Sequence, residues 1–218
     1  MTPVPDRLVF ALPKGRLLSA VEPLLTAAGL DLSCVAAAGR RLHLDLPSGH
    51  QVLLVKPADV PTYVDRGIAH AGIAGLDTLL ESGVDLYEPL DLGVGRCRMV
   101  VAEPKAAPRR LRRGMDLVVA TKYPRIARAH YLGRGIHPDL IELSGSVELG
   151  AVSGLADQIV DLVESGATLL ENGLVEVETV LESSARLVVA PAALKLHSST
   201  IARLNEALSN ATERTLHA

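Results

Sequence analysis

The six residues Thr78-Leu-Leu-Glu-Ser-Gly83 return as Thr168-Leu-Leu-Glu-Asn-Gly173, and each copy closes the same longer order of features. Ahead of the first copy come a helical stretch over 58–66, a stop at Gly67, an apolar run over 68–75 and the turn Leu76-Asp77. Ahead of the second come a helical stretch over 147–152, Gly154, an apolar run over 155–163 and the turn Glu164-Ser-Gly-Ala167. A unit used twice, about 90 residues apart, predicts two similar lobes; a solenoid would need shorter and more numerous repeats. On this reading Asp77 and Asp161 occupy related strand ends, one in each lobe.

The second copy also carries the richest chemistry. Residues 158–163 are short, apolar and β-branched at Ile159, Val160 and Val163, which predicts a buried strand with Asp161 near its carboxyl end. Glu164-Ser165-Gly166-Ala167 then makes a tight turn, with Thr168 as N-cap of a short helix over 169–172 that Gly173 stops. Such a turn aims several N–H groups at one spot and suits a phosphate. With a carboxylate beside it to hold hydroxyls or a metal, it suits a sugar phosphate, although the same joint also serves as plain scaffolding in α/β proteins.

The rest of the chain reads as strands alternating with helices. A strand over 7–12 runs into Pro13-Lys-Gly-Arg16 and a helix over 17–28, so Lys14 and Arg16 stand where an open parallel sheet takes its ligands, either as anion contacts or as solvated loop charges. A hairpin is expected from 40–46 and 51–55, turning at Pro47-Ser-Gly49. Strands at 97–102, 117–120 and 140–143, a helix over 125–132, and an arginine-rich surface loop over 108–113 follow. Strands over 175–180 and 187–190 come next, the second returning to the first lobe, and an amphipathic helix over 192–208 ends the chain. The expected class is α/β, with mixed, largely parallel sheets: lobe I from 1–93 plus 180–218, and lobe II from 94–179.

Composition removes whole classes of partner. A net charge of -3 gives no surface for nucleic acid or for an anionic membrane, and 2% aromatic content without tryptophan gives no base-stacking platform. Cys34 and Cys97 have no metal-ligand spacing and fit reduced thiols. With no leader pattern and no spanning apolar run, a cytoplasmic protein is expected.

In order along the chain, Ala11-Leu-Pro-Lys-Gly-Arg16, Asp59-Val-Pro-Thr-Tyr-Val64, Gly72-Ile-Ala-Gly75 with Asp77, Ala120-Thr-Lys-Tyr-Pro124, Ser144-Gly-Ser-Val-Glu148, Gly154-Leu-Ala-Asp157 and Asn172-Gly-Leu174 resemble the ATP phosphoribosyltransferase family, in the short form that lacks a regulatory domain. The departures are His70-Ala71 for an acidic-apolar pair, Leu76 for a common lysine, Leu149-Gly150 for Ala-Pro, and Ser165 for a frequent threonine. The resemblance implies lobes like those of type II periplasmic binding proteins. It also implies transfer of the 5-phosphoribosyl group from phosphoribosyl pyrophosphate to N1 of ATP, the first step of histidine biosynthesis. The competing class is a non-catalytic two-lobe small-molecule-binding protein.

That reaction needs no general base, because N1 of adenine is already unprotonated at neutral pH; it needs positioning and charge stabilisation as pyrophosphate departs. The resemblance assigns Asp161, Glu164, Ser165, Gly166, Ala167 and Thr168 to phosphoribosyl pyrophosphate, with Asp161 on the ribose hydroxyls. Lys14, Gly15, Arg16, Gly72, Asp77 and Ser144 are then expected on ATP, Ser144 reading equally as a plain helix N-cap; Lys14 and Arg16, on the polyphosphate oxygens, are the expected catalytic groups beside Asp161. The expected cofactor is Mg2+, held mainly by substrate rather than by protein ligands. About ten residues remain beyond 208, far below the ~50 of a further domain. The resemblance to the short form implies a homodimer working within a larger hetero-oligomer, with a regulatory subunit resembling histidyl-tRNA synthetase.

Overall fold

A computed structural model of the chain describes residues 7–106, 108 and 116–216. The described residues divide into two compact units, 7–95 with 184–216 and 96–183. The exchange expected at 179/180 falls inside a single strand that continues in the second unit to Ser183. The arginine-rich stretch lies outside the described residues apart from Pro108.

In chain order, the first unit holds β1 (Val9–Pro13), α1 (Arg16–Ala27), α2 (Ser33–Ala36), β2 (His43–Asp45) and β3 (Gln51–Val55). A 3-10 turn (Pro57–Asp59) leads into α3 (Val60–Asp65), then β4 (Ala71–Gly75), α4 (Leu76–Ser82) and β5 (Tyr87–Asp91). The second unit holds β6 (Cys97–Pro104), β7 (Leu117–Thr121), α5 (Pro124–Leu132), β8 (Pro138–Glu142), α6 (Glu148–Val152), β9 (Gln158–Val163), α7 (Ala167–Glu171) and β10 (Leu174–Ser183). The chain then returns to the first unit with β11 (Ala185–Val189), α8 (Pro191–Leu196) and α9 (Ser198–Leu216).

Sheet order bears out the duplicated unit. The first sheet runs β2-β3-β1-β4-β11-β5 and the second β10-β6-β9-β7-β8. In the first, β1 is parallel to β3 and β4, while β4 is antiparallel to β11. In the second, β7 is parallel to β8 and β9, while β9 is antiparallel to β6. Apart from the added β2, the two sheets are the same arrangement: β4 and β9 are equivalent, and so are the joints after β1 and β7.

The relation expected between Asp77 and Asp161 does not hold. Asp77 lies in the first turn of α4, whereas Asp161 is inside β9; aligning the two Thr-Leu-Leu-Glu hexapeptides puts Asp77 opposite Ala167. Three other elements differ from expectation for local reasons. β5 contains Pro89 and is half exposed at the sheet edge, which hides the strand pattern. The 192–208 helix is two helices parted at His197, where Ser198-Ser199-Thr200 favours a fresh start over continuation. Gly72 is not at a strand end but mid-strand under α3: a Cβ there would stand 2.8 Å from the Ala11 carbonyl oxygen and 2.9 Å from Val60 Cγ1. The missing side chain lets α3 close on β4.

Two histidines hold the entrance of β1. His50 Nδ1 accepts the Leu8 N–H at 3.2 Å and His70 Nδ1 accepts the Val9 N–H at 2.9 Å, so both rings must be neutral at Nδ1. Burial lowers both pKa values, and for His70 the His197 ring, 4.7 Å away between centroids, lowers it further. The folded state therefore binds fewer protons than the unfolded chain near the ordinary value of 6.5. Stability from these rings is present above that value and is lost as pH falls through the lowered folded values. The urea midpoint should drop between about pH 7 and about pH 5, and a His50→Gln, His70→Gln variant should show a shallower slope. An unchanged slope in the variant would contradict this account.

Candidate active site

In the second unit the carboxyl ends of the parallel strands β7, β8 and β9 lie side by side, tied by Thr121. Its buried hydroxyl donates to the Val160 carbonyl at 2.7 Å and accepts the Tyr123 N–H at 2.9 Å, while its carbonyl accepts the Leu143 N–H at 2.9 Å. This knot leaves Lys122 exposed at the strand ends. Asp161 alternates onto the same sheet face as Ile159 and Val163, the face covered by α6 and α7. Gly150 allows α6 to sit tightly there, since a Cβ would lie 2.7 Å from that of Ala120.

Asp161 is half-buried, and desolvation raises its pKa; the Glu148 carboxylate also raises it, while the Leu162 N–H, donating to Oδ1 at 2.8 Å, and Lys122 lower it. Lys122, Glu148 and Asp161 thus share one electrostatic site. Two carboxylates beside one lysine can accept sugar hydroxyls, or a divalent cation that arrives on a substrate's oxygens. Among the described residues no group of three or more His, Cys, Asp or Glu side chains is placed to hold a metal alone.

The turn after β9 differs from expectation in its cap. Gly166, at φ 79°, is the N-cap of α7, and Thr168 is an exposed second helical residue. Ser165 Oγ accepts the Ala167 N–H at 3.3 Å, and Leu170 is the first N–H with a carbonyl of the same helix as acceptor, Gly166 O at 3.3 Å. Helical geometry gives the N–H groups of Thr168 and Leu169 no acceptor in α7, so they are available to an anion. With five residues, α7 contributes little macrodipole; the turn's N–H groups matter more. Beneath the turn, Arg98 donates to the Glu164 carbonyl at 3.5 Å and is itself held by Glu176, 2.5 Å from Oε2.

After β8, the loop of Ser144, Gly145 and Ser146 is exposed, and Ser146 adopts φ 49°, a left-handed conformation unusual for a residue with a Cβ. Asp157 is a structural residue: its Oδ2 accepts the Val118 N–H at 2.9 Å, at the entrance of β7.

In the first unit the equivalent joint follows β1. Gly15, at φ 84° and ψ -151°, occupies a region open to glycine alone and turns the chain directly into the 12-residue α1. Lys14 and Arg16 are exposed on either side of it, at the start of a helix long enough to favour anions. Asp77 is 7% exposed in the first turn of α4 and accepts the Thr78 hydroxyl at 3.2 Å.

The comparisons with known proteins agree with one another. A family model described as "HisG: ATP phosphoribosyltransferase" matches residues 56–210. The chain belongs to the ATP phosphoribosyltransferase family. Relatives of that name from Cupriavidus metallidurans and Herminiimonas arsenicoxydans are 46% and 45% identical, the alignments covering 95% and 96% of this chain and 94% and 95% of theirs. A solved structure titled "ATP phosphoribosyl transferase (HisG:HisZ) complex from Thermotoga maritima" superposes with a TM-score of 0.81 at 32% identity, over 95% of this chain and 99% of that one. A substrate-binding protein of an amino-acid ABC transporter, at TM-score 0.59 and 12% identity over 96% of this chain and 95% of its own, shares the fold alone.

Membership of the ATP phosphoribosyltransferase family makes the chain a pentosyltransferase of the first step of histidine biosynthesis. Phosphoribosyl transfer of this kind uses a divalent metal. No helix among the described residues is long and apolar enough to cross a membrane. Sequence reasoning did not single out Lys122, Glu148 and Arg98, which the fold brings to Asp161 and the turn after β9. The duplicated fold carries the signal for the first, since Lys122 follows β7 as Lys14 follows β1.

Proposed function

We propose that the second unit holds phosphoribosyl pyrophosphate and that the first holds the polyphosphate of ATP, in a reaction driven by positioning and charge stabilisation. The observation that carries this is the grouping of Asp161, Lys122 and the Gly166 turn at one set of parallel strand ends. Asp161 accepts from the ribose hydroxyls. The turn from Ser165 to Thr168 holds the 5-phosphate, through the N–H groups of Thr168 and Leu169 and the Thr168 hydroxyl, while Arg98 fixes the turn through Glu164. Lys122 balances the two carboxylates and faces the anionic substrate. Lys14 and Arg16, set by Gly15 at the start of α1, hold triphosphate or pyrophosphate oxygens, Arg16 by a two-pronged contact. Ser144 and Asp77 complete the ATP side, Ser144 by direct contact and Asp77 by fixing the start of α4.

Mg2+ on the pyrophosphate oxygens would stabilise the leaving group. The protein's own task is then to align N1 of adenine with C1 of the ribose and to shield the cationic carbon from water. The test is magnesium-dependent formation of phosphoribosyl-ATP from ATP and phosphoribosyl pyrophosphate, followed by ultraviolet absorbance. Product formation in Asp161→Asn, Lys122→Met and Arg16→Met at the parent rate would overturn the assignment.

Regulation is proposed to come from a second protein. The similarity to the Thermotoga maritima HisG:HisZ complex supports a hetero-oligomer with a HisZ-like subunit. In this scheme the chain is a homodimer in the cytoplasm, and the partner resembles histidyl-tRNA synthetase. Feedback requires a histidine site coupled reciprocally to the active site. Purified alone, the chain should retain activity in millimolar histidine and bind it weakly in calorimetry; with the partner added, inhibition should appear. Tight binding and full inhibition without a second protein would reject this scheme.

A further inference from the structure

At the other end of β1 from Lys14, the first unit has a cavity of about 290 Å³ between the end of α1, the β2–β3 turn and α9. Its apolar lining comes from Leu8, Phe10, Leu30 and Leu204, all buried. Its polar lining comes from Ser48, His50, Thr200 and Arg203. Because His50 Nδ1 accepts the Leu8 N–H, the proton of the neutral ring sits on Nε2, which makes that nitrogen a donor. Arg203 donates from Nη2 to Thr200 Oγ1 at 3.1 Å, and among the described residues it makes no ion pair. Of the acids around it in sequence, Asp31 accepts the Ser33 N–H at 2.8 Å, Asp45 pairs with Arg7, and Glu206 makes no ion pair with Arg203 among the described residues. A guanidinium, a ring N–H and two hydroxyls therefore border an apolar hollow, and none of its lining residues is a carboxylate.

We propose that this cavity binds a small organic monoanion, a carboxylate on an apolar body of about eight to twelve non-hydrogen atoms. The apolar part enters against Phe10 and Leu204, and the carboxylate meets Arg203, with His50 and Ser48 as further donors. A concave, mostly apolar pocket with a few convergent polar groups is the usual form of a small-molecule site. Six residue steps along an extended strand put about 20 Å between Leu8 and Lys14. The proposal is independent of the roles given above to Asp161 and Lys14.

Hexanoate and its uncharged analogue hexanamide are the probes, followed by amide shifts in two-dimensional NMR of the full chain. Hexanoate should give saturable shifts at Gly29, Leu30 and His50, at least tenfold tighter than hexanamide. Arg203→Gln should bring hexanoate down to the hexanamide level, and Ala207→Phe, which fills the hollow from α9, should abolish both. The comparison of the two probes on the parent protein needs no variant and stands even if one misfolds. Absence of shifts, equal binding of the two probes, or hexanoate binding untouched by Arg203→Gln would each overturn the proposal.

Discussion

Asp161→Asn should lower kcat/KM by about ten- to hundredfold while leaving the protein as stable as the parent or more so. The loss follows from one charged hydrogen bond to the ribose, worth about 1.5–3 kcal/mol. The stability follows from the sign of the pKa shift. Burial and Glu148 raise the folded pKa of Asp161 above its ordinary 3.8, so the folded state keeps that proton to higher pH than the unfolded chain does. Its stabilising contribution is present only at low pH and is lost as pH rises through the folded value, so at neutral pH the ionised group costs stability. Asparagine has the same shape, its Oδ1 can still accept the Leu162 N–H, and it carries no charge to desolvate. Steady-state kinetics with thermal melting at pH 7 separates the two effects. A variant that loses both activity and stability would make Asp161 a structural residue; one that loses neither would remove it from the site. A functional carboxylate held at a cost in stability is the pattern expected where binding chemistry rather than packing has chosen the residue.

How much of this was legible in the sequence varied with the kind of interaction. The strands around Ala71–Gly75 and Gln158–Val163 were readable because both are apolar and lie centrally in their sheets. The repeated hexapeptide foretold two equivalent sheets, because the helix after β4 and the helix after β9 fill the same place and need the same apolar spacing. An edge strand such as β5, with proline and polar residues facing outward, leaves no such pattern. The candidate site could be proposed from sequence where it is local, as at Lys14 or in the Ser165–Thr168 turn. It was unreadable where it is made by register: Arg98 comes beneath the turn because β6 pairs antiparallel with β9, opposite Val163, and Glu148 reaches Asp161 only because α6 crosses that sheet face. His70 is of the same kind. In the sequence it is only a departure from the family pattern; in the fold its Nδ1 accepts the Val9 N–H.

Gly166→Val should weaken phosphoribosyl pyrophosphate binding at least tenfold, and the reason can be resolved with two companions. No heavy atom lies closer than 3.8 Å to a Cβ built at position 166, the nearest being Arg98 Nη2, so valine does not fail for want of space. It fails because φ is 79° there, and a β-branched residue in the left-handed region costs about 1–2 kcal/mol or shifts the backbone. Relief of that strain would rotate the peptide groups of residues 166–168 and turn the N–H groups away from their common point. Asparagine tolerates the left-handed region, so Gly166→Asn should keep the parent's melting temperature and leave α7 in place. If the glycine is needed only for its φ, the asparagine variant binds substrate as the parent does; if the phosphate must touch the backbone itself, it stays weak. Thr168→Val completes the series by keeping volume and helix while removing one hydroxyl, and should cost about tenfold or less, as one hydrogen bond does. Because Thr168 is exposed and is not the cap, this last change should leave stability unaltered, which an N-cap threonine would not. Calorimetric titration of the three variants would decide the matter. Parent affinity in both Gly166→Val and Thr168→Val would show that the turn after β9 is not where the phosphate binds.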